Sequence, residues 1–316
     1  MAKILITGAG GFVGSYLIRA LQAKGSYEIY ATVYKSSTNI LSLLPADHVV
    51  EGDLTDGTFA NTLIQSVKPD IIFHLAALSV VHSSDKQALS VLMANTALQY
   101  NLLESVRQFA PRVRLLAVCS ANEYGLVEDY QKPITESTPL RPLNPYAVSK
   151  VTQEMLTLQY HLAYNLDTVI LRPFNHTGAG QTLDFVVPTL AKQFASISKG
   201  QVPPMIEVGN LDNVRDFTDV ADMVEGYILA AEKGVSGEVY NLGSGVGLSV
   251  RDLIAKFEEV AGVKVEVKVR DSQLRVADIP ILVCDATKFR TLSGWSPKIP
   301  LATTLTNVYN YWKEQV

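Results

Sequence analysis

Cysteine is nearly missing from this chain. Among 316 residues only Cys119 and Cys284 occur, far apart and at neither disulfide-framework nor metal-ligand spacing. That excludes a cysteine-stapled scaffold and a cysteine metal centre, so no metal is expected and a reducing cytoplasm is the simplest compartment. A basic excess is also lacking. Lys and Arg number 27 against 31 Asp and Glu, a net charge of −4, which leaves no electrostatic footprint for nucleic acid. No apolar run reaches the roughly 18 residues of a membrane helix. The opening MAKILITGAGG has no charged lead followed by a long apolar stretch, so a signal peptide is not expected. Internal repeats and low-complexity linkers are absent as well. What remains, 47% hydrophobic and 18% charged, is ordinary globular composition. The length suits one large domain with an appendage, or two domains.

The first half alternates short β-branched runs with longer amphipathic stretches. KILIT (from Lys3), YEIYATV (Tyr27), HVVEGD (His48), DIIFHLA (Asp70), RLLAVCS (Arg114) and DTVILRP (Asp167) read as buried strands. Helical patterns lie between them over Gly11–Lys24, Thr58–Val67, Lys86–Phe109 and Pro145–Tyr164. Such alternation predicts right-handed βαβ crossovers and an α/β fold with a doubly wound parallel sheet. Beyond about Arg172 the texture turns loop-rich (NHTGAGQ, KGQVPPM, GNLDN), with one further helix over Asp219–Lys233 and one further strand in EVYNLGSG. The expected division is a dinucleotide-binding Rossmann domain over 1–171 that borrows about 212–243. A smaller carboxy-terminal substrate domain takes 172–211 and 244–316.

Gly8, Gly11 and Gly14 follow the first strand and open the first helix in ILITGAGGFVGSYL. Glycines at that spacing allow a sharp turn, a close approach of backbone to a pyrophosphate and tight helix–strand packing, while the helix N-terminus offers unpaired N–H groups. A dinucleotide is the expected ligand. An acid at the end of the second strand would accept the ribose 2′-hydroxyl of NAD. Here the strand runs into ATVYKSS, without an acid and with Lys35 as a cation for a 2′-phosphate, so NADP(H) is favoured and NAD(H) stays possible. Asp53, after the third strand, is placed to meet an adenine amino group or to cap the helix near Asp56.

Tyr146 and Lys150 stand four positions apart in PYAVSK, on the first turns of a helix, and Ser120 ends a strand 26 positions earlier. Carboxyl ends of strands face the ligand crevice of a doubly wound sheet, so the three converge there. A lysine charge favours phenolate and would lower the tyrosine pKa from about 10 towards neutrality, which suits proton transfer to a carbonyl under reduction. The glycine turn, this Ser–Tyr–Lys set, HLAA from His74 and NPYAVSK from Asn144 together resemble the extended short-chain dehydrogenase/reductase family, whose members act on nucleotide-diphosphate sugars. The resemblance covers essentially the whole chain. It implies Tyr146 as acid/base, Lys150 as its activator and ribose anchor, and Ser120 as the group orienting the carbonyl. It adds Phe12, Val13, Leu54, Leu75, Ala76 and Ala77 to the cofactor contacts, and a homodimer paired through the helices Lys86–Phe109 and Pro145–Tyr164, which carry apolar residues on more than one face.

At the substrate end, LRPFNHTGAGQTLDFVVP resembles the segment by which some of these enzymes hold a nucleotide-sugar diphosphate, with Asn175 at the contact position and Phe185 and Val186 beside it. Arg215 in NVRDFTD and Arg275 in LRVADIP suit a pyrophosphate, since each offers a fixed fork of donors. Salt bridges to Asp216, Asp219 or Asp278 are the structural alternative. His74 and His176 read as structural. The same segments are similar to the branch acting on GDP-linked 6-deoxy sugars, in which a 4,6-dehydratase makes a 4-keto sugar and a reductase consumes it. A dehydratase needs a carboxylate two positions after the Ser/Thr. Here Asn122 stands there, and Glu123 would point to the other face if the strand continues, unless a bulge brings it round. The resemblance therefore implies a reductase of a GDP-linked keto-deoxy-sugar. A 4,6-dehydratase, a 4-epimerase and a non-catalytic dinucleotide sensor are the alternatives.

Overall fold

A computed structural model describes residues 1–34, 42–78, 85–130, 132–269 and 279–316, and side chains throughout these except at 85–87. Seven parallel strands form the main sheet among the described residues. In chain order they are β1 (Ala2–Thr7), β2 (Tyr27–Val33), β3 (Val49–Glu51), β4 (Ile71–His74), β5 (Arg114–Val118), β6 (Asp167–Pro173) and β10 (Val239–Leu242). Across the sheet the order is β10-β6-β5-β4-β1-β2-β3. The chain thus winds outward from β1 in both directions, as expected of a doubly wound sheet. Its strands are β-branched and buried on both faces because helices cover both.

Period-two alternation splits each strand between two cores. Ile4, Ile6 and Phe73 point to the face covered by α1 (Phe12–Lys24) and α6 (Val220–Lys233). Leu5 and Ile72 point to the face covered by α2 (Gly57–Val67), α3 (Asp85–Phe109) and α4 (Pro145–Tyr164). α4 begins where the sequence predicts. Asn144 Oδ1 accepts from Ala147 N at 2.8 Å, and Pro145 occupies the first turn, where its missing N–H costs nothing. This cap sets Tyr146 in the opening turn, at the rim of the sheet.

The loop-rich half builds its own smaller core. β7 (Asn175–Thr177), β9 (Val214–Asp219), β11 (Gly247–Ser249) and β13 (Ile281–Leu282) form one small sheet, and β8 (Met205–Val208) pairs with β12 (Glu266–Val269). Beside them α5 (Val186–Ser198), α7 (Val250–Ala261) and α9 (Leu301–Gln315) pack together around Phe194, Phe257 and Leu305. The short helix α8 (Thr287–Ser293) lies against β10. No helix among the described residues is long and apolar enough to cross a membrane.

Candidate active site

A cavity of about 790 Å³ opens along the carboxyl ends of the parallel strands, from the glycine turn to the start of α5. It sits where a doubly wound sheet reverses strand order, the expected crevice. Gly8 adopts φ +69°, and a Cβ there would stand 2.6 Å from Ala76 Cα, so the turn tolerates no side chain. Gly14 is closed off in the same way by the backbone of Ala9. Gly11 caps α1 without any side chain accepting from the helix, so the first turn through Phe12 and Val13 presents backbone donors to the cavity. Leu75, Ala76 and Ala77 line the wall beside Gly8. A glycine cradle beside an uncapped helix N-terminus fits the diphosphate of a dinucleotide.

Farther along that wall stand Asp53 and Leu54. Asp53 accepts from Thr55 N at 2.8 Å in a tight turn, whereas the cap of α2 is Asp56, which accepts from Thr58 N. Asp53 is therefore free of the capping role and borders the cavity. Lys35, expected against a 2′-phosphate, lies outside the described residues.

Ser120, Tyr146 and Lys150 do meet at this cavity. β5 stops at Val118, and Ser120 opens a 3-10 turn over Ala121–Tyr124 instead of prolonging the strand. This corrects the premise of a continuing strand: in a turn of three residues per cycle, Asn122 faces the cavity and Glu123 folds inward. Glu123 is fully buried and accepts from Ser120 N at 2.9 Å. Lys150 Nζ donates to Val118 O at 2.9 Å. Burial lowers the pKa of Lys150, with Cys119 and Glu123 pulling it back up. Burial likewise pushes the Tyr146 phenol above its ordinary value, opposed by its hydrogen bond with Ser120 and reinforced by Glu123 and Cys119. The shift runs opposite to the expected drop towards neutrality, because desolvation is its largest cause and the nearby charges of Glu123 and Cys119 act in the same direction.

The substrate end is met only in part. Asn175 and Phe185 line the cavity, with His176 stacked on Phe12 at 6.5 Å between ring centres. Val186 and Arg215 do not line it. Arg215 Nη1 donates instead to Val214 O at 2.9 Å. The carboxylates proposed as its partners are engaged elsewhere: Asp216 accepts from Ser244 and Gly245, and Asp219 accepts from Ala221 N and Thr304. Arg275 lies outside the described residues. His74 is fully buried, with Nδ1 2.6 Å from Thr7 Oγ1, and burial ahead of the Lys150 charge lowers its pKa to about 3. His176 is lowered too, also by burial.

Two features escape the sequence reading. Tyr227 of α6 lies at the cavity wall with a buried hydroxyl that has no hydrogen-bond partner. Beneath the site, Arg172 forks onto Glu154 at 2.8 and 2.5 Å, and Glu123, Glu154 and Cys119 crowd around that one guanidinium. The signal for Glu154 was present, since residues 146, 150 and 154 share one helix face.

The family described as GDP-mannose 4,6 dehydratase matches residues 5–308 of the chain. The GDP-6-deoxy-D-mannose reductase of Pseudomonas aeruginosa is 30% identical over 314 residues, 99% of this chain and 98% of the relative. The solved structure of RMD from Pseudomonas aeruginosa complexed with NADPH superposes with a TM-score of 0.88 at 29% identity, covering 100% of both chains. A UDP-glucose 4-epimerase of Thermus thermophilus in complex with NAD gives 0.87 at 27% identity, covering 99% of this chain and 100% of that one. With a match of this extent on a parallel sheet of this order, the chain belongs to the GDP-mannose 4,6-dehydratase family, within the extended short-chain dehydrogenase/reductases.

Proposed function

We propose that this protein is a cytoplasmic reductase of a GDP-linked 4-keto-6-deoxy-hexose, converting GDP-4-dehydro-6-deoxy-D-mannose to GDP-6-deoxy-D-mannose. The observation that carries this reading is the turn after β5. It offers Ser120 and the amide Asn122 to the cavity and folds the neighbouring acid, Glu123, away from it. An amide cannot transfer the proton that elimination of water requires, whereas reduction of a carbonyl needs one proton donor and one orienting group. The similarity to the Pseudomonas reductase supports the same choice.

The nicotinamide dinucleotide supplies the hydride when bound. The remaining roles fall to the chain. Ser120 donates a hydrogen bond to the carbonyl oxygen, and Tyr146, a phenol held protonated by burial, gives its proton to the alkoxide that forms there. Lys150, fixed by Val118 O, stabilises the phenolate left behind and anchors the ribose. Gly8, Gly11, Phe12, Val13 and Gly14 hold the diphosphate, Asp53 and Leu54 the adenosine end, and Leu75, Ala76 and Ala77 the wall between. Asn175 and Phe185 hold the sugar nucleotide, with Val186, Arg215 and Arg275 as further contacts at its diphosphate end. NADP(H) is preferred over NAD(H), because no acid closes β2 and Lys35 follows it.

The Rossmann part spans 1–171 and takes back α6 (Val220–Lys233) and β10 (Val239–Leu242), whereas β9, expected with them, sits in the small sheet, so the nucleotide-sugar part takes about 172–219 and 244–316. Two copies pair through α3 and α4. These helices pack side by side and leave Leu89, Met93, Met155 and Leu162 outward, with Leu162 74% exposed. Exposed apolar side chains on both helices support that pairing. Purified protein mixed with NADPH and the keto-sugar nucleotide should oxidise the cofactor stoichiometrically. No oxidation would sink the reading. Turnover of GDP-mannose itself on tightly held, recycled cofactor would replace it with the dehydratase.

A further inference from the structure

Just behind the cavity wall, Glu123 makes an unusual cap. Its Oε1 accepts from Ser120 N at 2.9 Å while Ser120 Oγ accepts from Asn122 N at 3.2 Å, so the two side chains lock the turn from both ends. Capping boxes ordinarily sit in water, where an acid costs nothing to place. This one is wholly buried, and burial of a carboxyl group is costly unless the group is neutral or fully paired. Pairing is incomplete. Among the described residues Oε2 has no hydrogen bond of ordinary geometry; it stands 3.7 Å from Arg172 Nε and faces the Glu154 carboxylate. Arg172 itself is committed to Glu154 through Nε and Nη2, and through Nη1 to the Tyr124 hydroxyl at 2.8 Å and Glu136 O at 3.1 Å. The well-formed hydrogen bond of the Glu123 side chain is therefore the one it accepts from the backbone of Ser120.

We propose that Glu123 is a positioning residue, clamping from beneath the turn that presents the Ser120 hydroxyl and the Asn122 amide to the cavity. Burial, ahead of the Glu154 carboxylate, raises its carboxyl well above the ordinary range. The inference rests on Ser120 serving the reduction.

Two substitutions separate a clamp from mere filling. Glu123→Leu keeps similar volume and removes the acceptor. Glu123→Gln keeps an uncharged acceptor in place. For Glu123→Leu the expected result is a kcat about tenfold lower or more, with smaller changes in KM for the keto-sugar and in cofactor Kd, and faster hydrogen exchange at the Ser120 amide. Glu123→Gln should rescue both kcat and exchange. The proposal is overturned if Glu123→Leu leaves kcat or the Ser120 exchange rate unaltered, or if Glu123→Gln fails as badly as Glu123→Leu. Should Glu123→Leu not fold, Glu123→Met provides the same loss of acceptor with a more adaptable side chain. Amide exchange needs no substrate, so it decides the clamp even if the wild-type protein proves inactive on the keto-sugar.

Discussion

Two helices of this protein bury themselves by opposite means. The buried face of α5 is almost wholly apolar, with Val187, Leu190, Ala191, Phe194 and Ile197 set against the small core of the second half. The buried face of α4 is mostly polar: Ser149, Lys150, Gln153, Glu154 and Thr157 all lie inside. The first helix is held by area removed from water, which is non-directional and tolerant. The second is held by specific partners, among them Asn95 on Ser149, Gln99 on Thr157, Val118 O on Lys150 and Arg172 on Glu154. A helix that presents a phenol and an ammonium at a cavity cannot be an oily one, and its polar groups have to be satisfied where they stand.

That contrast can be broken at several points. Tyr146→Phe should have the largest effect, lowering kcat by about 10²–10⁴ while cofactor affinity, measured by fluorescence titration, holds. Glu154→Leu comes next, since it strands the Arg172 guanidinium. A loss of about 3–5 kcal/mol in denaturant unfolding is expected. Leu190→Ala on α5 should cost about 2–5 kcal/mol through the cavity it leaves, and it should leave KM for the keto-sugar unmoved at temperatures where the fold persists. Equal catalytic damage from Leu190→Ala and Glu154→Leu would erase the distinction between the helices.

His74 provides a pH test on the polar side. Its folded pKa of about 3 lies below the unfolded value of about 6.5, so the unfolded chain binds the extra proton between these limits. Its contribution to stability is complete above about pH 6.5 and declines as pH falls, by about 1.4 kcal/mol per unit. Unfolding curves from pH 7 down to pH 5 should show that slope, and His74→Gln should flatten it. The smallest effect is expected at Tyr227→Phe. It removes a buried hydroxyl without a protein partner, and its unfolding midpoint should move by less than about 0.5 kcal/mol equivalent.

Much of this was legible before any coordinates. Strand and helix positions in the first half follow from hydrophobic period and turn chemistry, and the glycine turn announces its ligand because backbone approach leaves few alternatives to Gly8 and Gly14. Cavity lining by Ser120, Tyr146 and Lys150 was expected for the same reason: strand ends and a capped helix start are local events. The misses have one cause in common. Ser120-Ala121-Asn122-Glu123 is a capping-box pattern that could have announced the 3-10 turn; what no local pattern declares is that its acid is buried in the interior. The direction of the Tyr146 shift was misjudged because a charge can be read from a letter, but burial cannot. Arg215, read as a diphosphate contact, hydrogen-bonds the carbonyl of Val214 and is not among the residues lining the cavity.

The sequence by itself determined the alternating α/β order, the dinucleotide turn and the pairing of a tyrosine with a lysine on one helix face. Each of these is set by residues within a turn or two of one another. Only the tertiary structure decided that Glu123 turns away from the cavity, which cation serves Glu154, and in which direction burial moves the Tyr146 phenol. Those outcomes depend on what β5, α4 and β6 bring together across the sheet, and desolvation belongs to the assembled interior rather than to any stretch of chain.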